Sequence, residues 1–85
     1  MATKTSIPRT QQETIIALDR ASKDFLHYYG HEYANTEFIA GFLGASRDIT
    51  RKRLERLRAA GFAIRRKKGN VYGWRPSAKA WKVIA

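Results

Sequence analysis

The stretch that decides the fold runs from residue 36 to residue 66 and reads TEFIAGFLGASRDITRKRLERLRAAGFAIRR. Apolar residues three and four positions apart predict a short helix at its start, which Gly44 ends. Ser46 is a good N-cap for a second helix that reaches about Ala60, and Gly61 is expected to end that helix in the left-handed conformation. An apolar, strand-like segment follows. The stretch therefore predicts two helices joined by a tight turn and then a strand.

The second of these helices has few apolar positions and many basic ones. We expect Thr50, Leu54 and Leu57 to face the core, together with Ile49. Thr50 would bury its methyl group and bond a helix carbonyl through its hydroxyl. The positions left to face outward carry Ser46, Arg47, Asp48, Arg51, Lys52 and Glu55.

The residues that follow Gly61 predict a β-hairpin. Two strand-like runs, 62–66 and 71–75, flank a turn that contains a glycine. Phe62 and Ile64 are expected to alternate on the first strand, as Tyr72 and Trp74 are on the second. Four basic residues are expected to cluster at the hairpin tip: Arg65, Arg66, Lys67 and Lys68.

The rest of the chain supplies supporting elements. A long helical pattern runs from Thr10 to Tyr29, and Thr10 with Glu13 fits a capping box. Residues 1–9 are expected to be a flexible tail, so the folded domain would be 10–85. Ser77 is placed to cap a last short helix, from which Ala78, Trp81 and Ile84 would pack on the first helix. Both tryptophans are expected in the core rather than stacked on bases.

The charge is distributed unevenly along the chain. The net charge is +10, and residues 46–85 carry thirteen Lys or Arg against two Asp or Glu, whereas residues 1–45 carry four against five. Such an imbalance is typical of a surface that binds a polyanion. Without a secretory pattern, a long apolar run or any cysteine, we expect a cytoplasmic protein that has no membrane partner.

No residue pattern predicts catalysis. Paired carboxylates, a Ser-His-Asp signature and a phosphate-binding glycine loop are not evident. His27 and His31 are four residues apart with Glu32 adjacent, but Gly30 lies between them and a full ligand set is not evident. We therefore expect neither a metal nor a cofactor, and not an enzyme.

Residues 36–75 resemble the helix-turn-helix and wing of winged-helix transcription regulators. The positions that carry the resemblance are Thr36, Leu43, Gly44, Ser46, Arg47, Leu54, Leu57 and Gly61, with Tyr72 and Trp74 in the second wing strand. Thr50 departs from the pattern, because that family usually has Val or Ile there. The resemblance implies a mainly α fold with a small β-hairpin, a three-helix core plus a wing.

It also implies a sequence-specific protein that binds double-stranded DNA and regulates transcription. The basic helix would enter the major groove, and the wing would lie on the adjacent backbone or minor groove. The expected DNA-binding residues are Ser46, Arg47, Arg51 and Lys52 of the helix and Arg65, Arg66, Lys67 and Lys68 of the wing. Arginine is well suited to guanine because its fork matches two acceptors.

Several alternatives stay open at this point. A compact basic domain also suits structured RNA or the ribosome, a DNA-binding factor in replication or recombination, or an adaptor that binds an acidic protein. Asp48 and Glu55 either accept a hydrogen bond from cytosine or serve the helix dipole and a nearby arginine. Tyr28, Tyr29 and Tyr33 either join the core or form, with the first helix, a homodimer surface.

Overall fold

Between Ile7 and Ile84, the residues that the computed structural model describes, the chain forms four helices and three strands. Their order is α1 (Arg9–Tyr29), β1 (Ala34–Asn35), α2 (Thr36–Leu43), α3 (Arg47–Ala59), β2 (Ala63–Lys68), β3 (Val71–Pro76) and α4 (Ala78–Ile84). No helix of this part of the chain is long and apolar enough to cross a membrane.

The long helix α1 begins one residue earlier than the sequence predicts. Pro8 is its N-cap, and the Pro8 carbonyl accepts the amides of Gln11 and Gln12 at 2.9 and 3.1 Å. The predicted capping box is wrong, because Thr10 already lies inside the helix, where its carbonyl accepts the Thr14 hydroxyl at 2.8 Å. Residues 1–6 of the predicted tail lie outside the described residues.

Side-chain caps and a glycine set the ends of α2 and the start of α3. The Asn35 side chain accepts the Phe38 amide at 2.8 Å and caps α2. Gly44 ends α2 with a φ of 70°, a value that side-chain-bearing residues rarely adopt. Ser46 then accepts the Ile49 amide at 3.2 Å and starts α3. These caps fix the two helices on either side of a tight turn.

The core lies where α1, α2 and α3 meet one face of the sheet. Its largest member is Trp74, fully buried as predicted, whose indole donates to the Thr36 hydroxyl at 3.1 Å. The prediction for Trp81 is wrong, since this side chain is 46% exposed. Its indole instead donates to Asp19 of α1 at 3.2 Å, while Ala80 takes the buried position of α4. The Ile84 side chain, also predicted to pack on the first helix, lies outside the described part of the chain.

The hairpin is part of a three-stranded antiparallel sheet with the order β1-β3-β2. The sequence does not predict strand β1, because a strand of two residues has no periodicity to detect. The predicted alternation in β2 is also wrong. Phe62 is buried but precedes the strand, Ala63 faces the core, and Ile64 is exposed.

Gly73 is the point at which the sheet approaches the loop before β1 most closely. A β-carbon at this position would lie 2.7 Å from Cβ and 3.1 Å from the carbonyl oxygen of Tyr33. These distances are shorter than van der Waals contact, so only glycine fits without a backbone shift. Tyr33 is thereby seated across the outer face of the hairpin.

Candidate nucleic-acid interface

Three buried side chains set the rotation of α3. Thr50, Leu54 and Leu57 are fully buried, as the sequence predicts, and they turn the opposite face of the helix to solvent. Ile49 was predicted to join them but is 47% exposed. It follows the N-cap closely and lies about 100° around the helix from Thr50, which takes it off the core-facing stripe.

The Thr50 hydroxyl is a second departure from expectation. Its oxygen is buried and has no hydrogen-bond partner among the described residues, so the predicted bond to a helix carbonyl is not made. An unsatisfied buried hydroxyl costs about 1–3 kcal/mol. Thr50 therefore fills its core position at a cost that a valine would not incur.

The outward face of α3 carries the helix residues predicted to bind DNA. The side chains of Arg47, Arg51 and Lys52 are 73%, 51% and 63% exposed. Ser46 lies beside them at the start of the helix and is exposed. Its hydroxyl accepts the Ile49 amide, which leaves the hydroxyl hydrogen available for donation to an acceptor outside the protein.

A carboxylate lies between two of these cations. Asp48 Oδ1 accepts from Arg51 Nη2 at 2.9 Å, and its Oδ2 lies 3.3 Å from Lys52 Nζ. The hydrogen bonds from Arg51 and Lys52 hold the pKa of the Asp48 carboxyl below its ordinary value. Arg47 has a more distant acidic neighbour, Glu37 of α2, at 4.0 Å.

The sequence predicts that the four basic residues of the wing cluster at its tip, but in the structure they do not. Gly69 and Asn70 make the turn, and side chains alternate between the two faces of β2 behind it. Arg65 and Lys67 share the face that carries Tyr72 and Trp74. The other face carries Arg66 and Lys68, so the positive charge of the wing is divided between two faces.

Arg65 differs from its neighbours because it lies between the wing and α3. Its Nη1 is 2.6 Å from Glu55 Oε2, and its guanidinium lies 4.5 Å from the centre of the Tyr72 ring. Glu55 also accepts from Arg58 at 3.1 Å, which confirms the pairing of Glu55 with nearby arginines. Arg65 thus joins β2 to the basic helix and is the least exposed of the predicted wing residues.

The helix and the wing border a common cleft of about 290 Å³. Arg47 and Arg51 line it from α3, Asn70 and Tyr72 line it from the wing, and the start of α2 closes one end. The cleft thus places two of the predicted helix residues beside the wing turn, but none of the four predicted wing residues lines it, and Arg66 and Lys68 border a different cleft with Tyr33.

The sequence analysis missed an aromatic support on the other face of the wing. Arg66 lies 4.7 Å and Arg75 lies 5.8 Å from the centre of the Tyr33 ring, and Arg75 also donates to Glu32 at 3.1 Å. The signal that pointed to this packing was Gly73 within a strand, which marks a close approach of another segment. Its partner could not be read from the sequence.

One further exposed surface, near the end of α1, is aromatic. Tyr28 and Tyr29, near the end of α1, are 70% and 60% exposed and so do not belong to the core. Tyr29 continues a row of rings, with centroids 4.7 Å apart to Phe25 and 5.1 Å onward from Phe25 to Phe38. Tyr33 belongs instead to the sheet contact described above.

Comparisons with solved structures show the same architecture in other proteins. No protein-family model and no curated protein matches the chain. The zinc-responsive MarR family member ZitR of Lactococcus lactis superposes with a TM-score of 0.66 at 20% identity, over 95% of this chain and 51% of that chain. A mutant of ZitR in which a serine replaces a cysteine gives 0.65 at 19%, over 98% and 51%.

A candidate DNA-binding protein from Ralstonia eutropha JMP134 gives a TM-score of 0.67 at 16% identity, over 92% of this chain and 93% of that one. The chain thus spans about half the length of ZitR and nearly all of the Ralstonia protein. Identities this low show a shared fold and nothing finer. The predicted fold class is confirmed: the chain is a winged helix-turn-helix domain, mainly helical, whose wing belongs to a small antiparallel sheet.

Proposed function

We propose that this protein binds double-stranded DNA sequence-specifically and regulates transcription, with α3 in the major groove and the wing on the adjacent backbone or minor groove. One observation carries the proposal. Arg47, Arg51 and Lys52 project from the exposed face of the helix that follows the tight turn. The proposed activity is binding and not catalysis, and residues 10–85 form the binding unit.

The dimensions of DNA favour this arrangement. A major groove about 12 Å wide admits one helix, whose outer side chains then reach base edges and flanking phosphates. The buried stripe of α3 turns those cations outward, and the wing borders the same cleft. The strong excess of positive charge in residues 46–85 supplies the attraction to phosphates.

Each part of the interface has its own proposed role. Arg47, Arg51 and Lys52 reach base edges and the phosphates beside them, and Ser46 donates its hydroxyl hydrogen to a phosphate. Arg66, Lys67 and Lys68 contact the backbone from the wing. Arg65 is included among the binding residues but mainly holds the wing to α3 through Glu55.

The descriptions of the structurally similar proteins support the proposal. ZitR is described as a MarR family member, and the Ralstonia protein is a candidate DNA-binding protein. Both share the fold on which the exposed cations of α3 are arranged here. The exposed aromatic surface at the end of α1 also supports a homodimer through α1 and the Tyr28, Tyr29 and Tyr33 region, and a symmetric dimer would select a pseudo-palindromic site.

Selection of bound duplexes from a random pool tests the proposal. The selected duplex and a shuffled duplex of equal composition are then compared by fluorescence anisotropy over a series of salt concentrations. We expect Arg51→Ala to lose about 5- to 150-fold in affinity for the selected duplex and much less for the shuffled one. Lys82→Ala in α4 removes the same charge from an exposed position away from the interface and should have little effect.

Two outcomes would contradict the proposal. Equal affinity for all duplexes would exclude sequence-specific recognition. Tighter binding to structured RNA than to any duplex would favour the RNA-associated alternative instead.

A further inference from the structure

The centre of the outward face of α3 is acidic, although the helix around it is basic. Asp48 lies two residues after the N-cap, and Arg51 and Lys52 follow it by three and four positions, which places all three on one face. The Asp48 carboxylate binds both cations, at 2.9 Å and 3.3 Å. Two of the three proposed base-reading cations therefore share a single intramolecular partner.

This arrangement weakens binding to duplexes in general. A phosphate that approaches Arg51 or Lys52 competes with a carboxylate already in place, and the same carboxylate repels the phosphate. Sequence-independent binding of DNA is driven by phosphate contacts. An acid at this position therefore acts mainly against that component of affinity.

The penalty is relieved where the groove offers a hydrogen-bond donor. In the major groove cytosine presents its N4 amino group, and the carboxylate of Asp or Glu accepts from it. Arg51, released on that contact, has the fork geometry to donate to O6 and N7 of a guanine. A base without the donor leaves the carboxylate partly desolvated and still competing with the DNA for Arg51 and Lys52, which opposes binding.

We infer that Asp48 is a specificity-determining residue of this interface, which selects a cytosine in the site while it restrains Arg51 and Lys52 from binding any duplex. The inference rests on the proposed function. A purely structural role is the competing explanation, because an acid in the first turn also stabilises the helix dipole. The two explanations differ in what happens to the selected sequence.

The experiment compares the Asp48→Asn variant with wild type and with Asp24→Asn. Asp24 is an exposed acid of α1, so its variant removes the same unit of charge away from the interface. Thermal unfolding first establishes that all three proteins are folded. Each protein then selects duplexes from the same random pool, and affinities for selected and shuffled duplexes are measured at fixed salt.

Asp48→Asn is expected to bind the shuffled duplex more tightly than either other protein does. Its preference for the wild-type site over the shuffled duplex should fall about 5- to 100-fold, in line with the loss of one base-specific contact. The motif that it selects should lose cytosine at one position, and adenine is favoured there because asparagine pairs with N6 and N7 of adenine.

The remaining results overturn the inference in distinguishable ways. If Asp48→Asn and Asp24→Asn select the wild-type motif with equal preference, Asp48 has only a structural or general electrostatic role, and the proposed function stands. If wild type itself selects no motif, the proposed function fails and this inference fails with it.

Discussion

The basic helix and the wing carry similar charge but hold it in different ways. On α3, Arg51 and Lys52 are paired with the carboxylate of Asp48. On the wing, Arg66 lies over the ring of Tyr33 at 4.7 Å, and Lys67 lies 5.9 Å from the centre of the Tyr72 ring. One surface supports its cations with anions, and the other supports them with aromatic faces.

The difference has a consequence for binding to a polyanion. A carboxylate cancels the charge of its partner and competes with phosphate, whereas an aromatic face holds a cation in place and leaves it charged. We therefore expect the wing to contribute to affinity for any duplex and α3 to contribute according to the sequence of the duplex. Arg65 belongs to both regions, since it contacts Glu55 and Tyr72 together.

The largest expected effect is on the aromatic support of the wing. Gly73→Ala would place a methyl group 2.7 Å from Tyr33 Cβ, so Tyr33 or the strand must move. We expect a loss of about 2 kcal/mol in the free energy of unfolding, within the range for overpacking. Thermal unfolding measures it as a fall of roughly 8–16 °C in Tm for a domain of this size.

Gly41→Ala is the matched control for this change. Gly41 lies in α2, and a β-carbon there meets nothing within 4 Å. Alanine should stabilise the helix by up to about 1 kcal/mol. If the two variants unfold at the same temperature, Tyr33 does not pack against Gly73 as described.

The next largest effect concerns how firmly α3 is seated. Thr50→Val removes a buried hydroxyl without a described partner and keeps the shape of the side chain, so the protein should gain about 1 kcal/mol of stability. Thr14→Val is the control, because the Thr14 hydroxyl does have a partner, the carbonyl of Thr10. Denaturant unfolding compares them, and an equal or smaller gain for Thr50→Val would mean that its hydroxyl is satisfied.

The sequence predicted well most features that depend on neighbouring residues, although the capping box at Thr10 was wrong. The cap at Ser46, the stop at Gly44 and the inward positions Leu54 and Leu57 are local features, and the structure has them where periodicity and capping placed them. Ile49 was wrongly predicted to face the core, because its hydrophobic side chain does not reveal that it lies outside the buried stripe of α3.

The rest depends on contacts between distant segments. Strand β1 forms only because Ala34 and Asn35 pair with Trp74 and Gly73. The division of the wing cations between two faces follows from the register of β2 on β3, which a run of adjacent basic letters conceals. The sequence composition indicated a polyanion partner, but only the structure shows which cations are paired with acids.

A smaller effect is expected where the two regions join. Glu55→Gln removes the anion that holds Arg65 and Arg58, both at least partly exposed, so stability should fall by only about 0.5 kcal/mol. The freed Arg65 should steepen the salt dependence of DNA binding by up to about one phosphate contact. Glu13→Gln on the exposed part of α1 is the control, and an unchanged salt dependence would show that Arg65 does not reach DNA even when released.

The smallest effect tests the wing as a contributor that ignores sequence. Lys68→Ala removes an exposed cation next to the turn. Affinity should then fall less steeply with salt: the slope of log affinity against log salt becomes less negative by about 0.9, the value for one phosphate contact. The loss should be equal for selected and shuffled duplexes, whereas Arg51→Ala should weaken the selected duplex far more. A larger loss for Lys68→Ala on the selected duplex would mean that the wing also reads bases, and the contrast between the two regions would then be wrong.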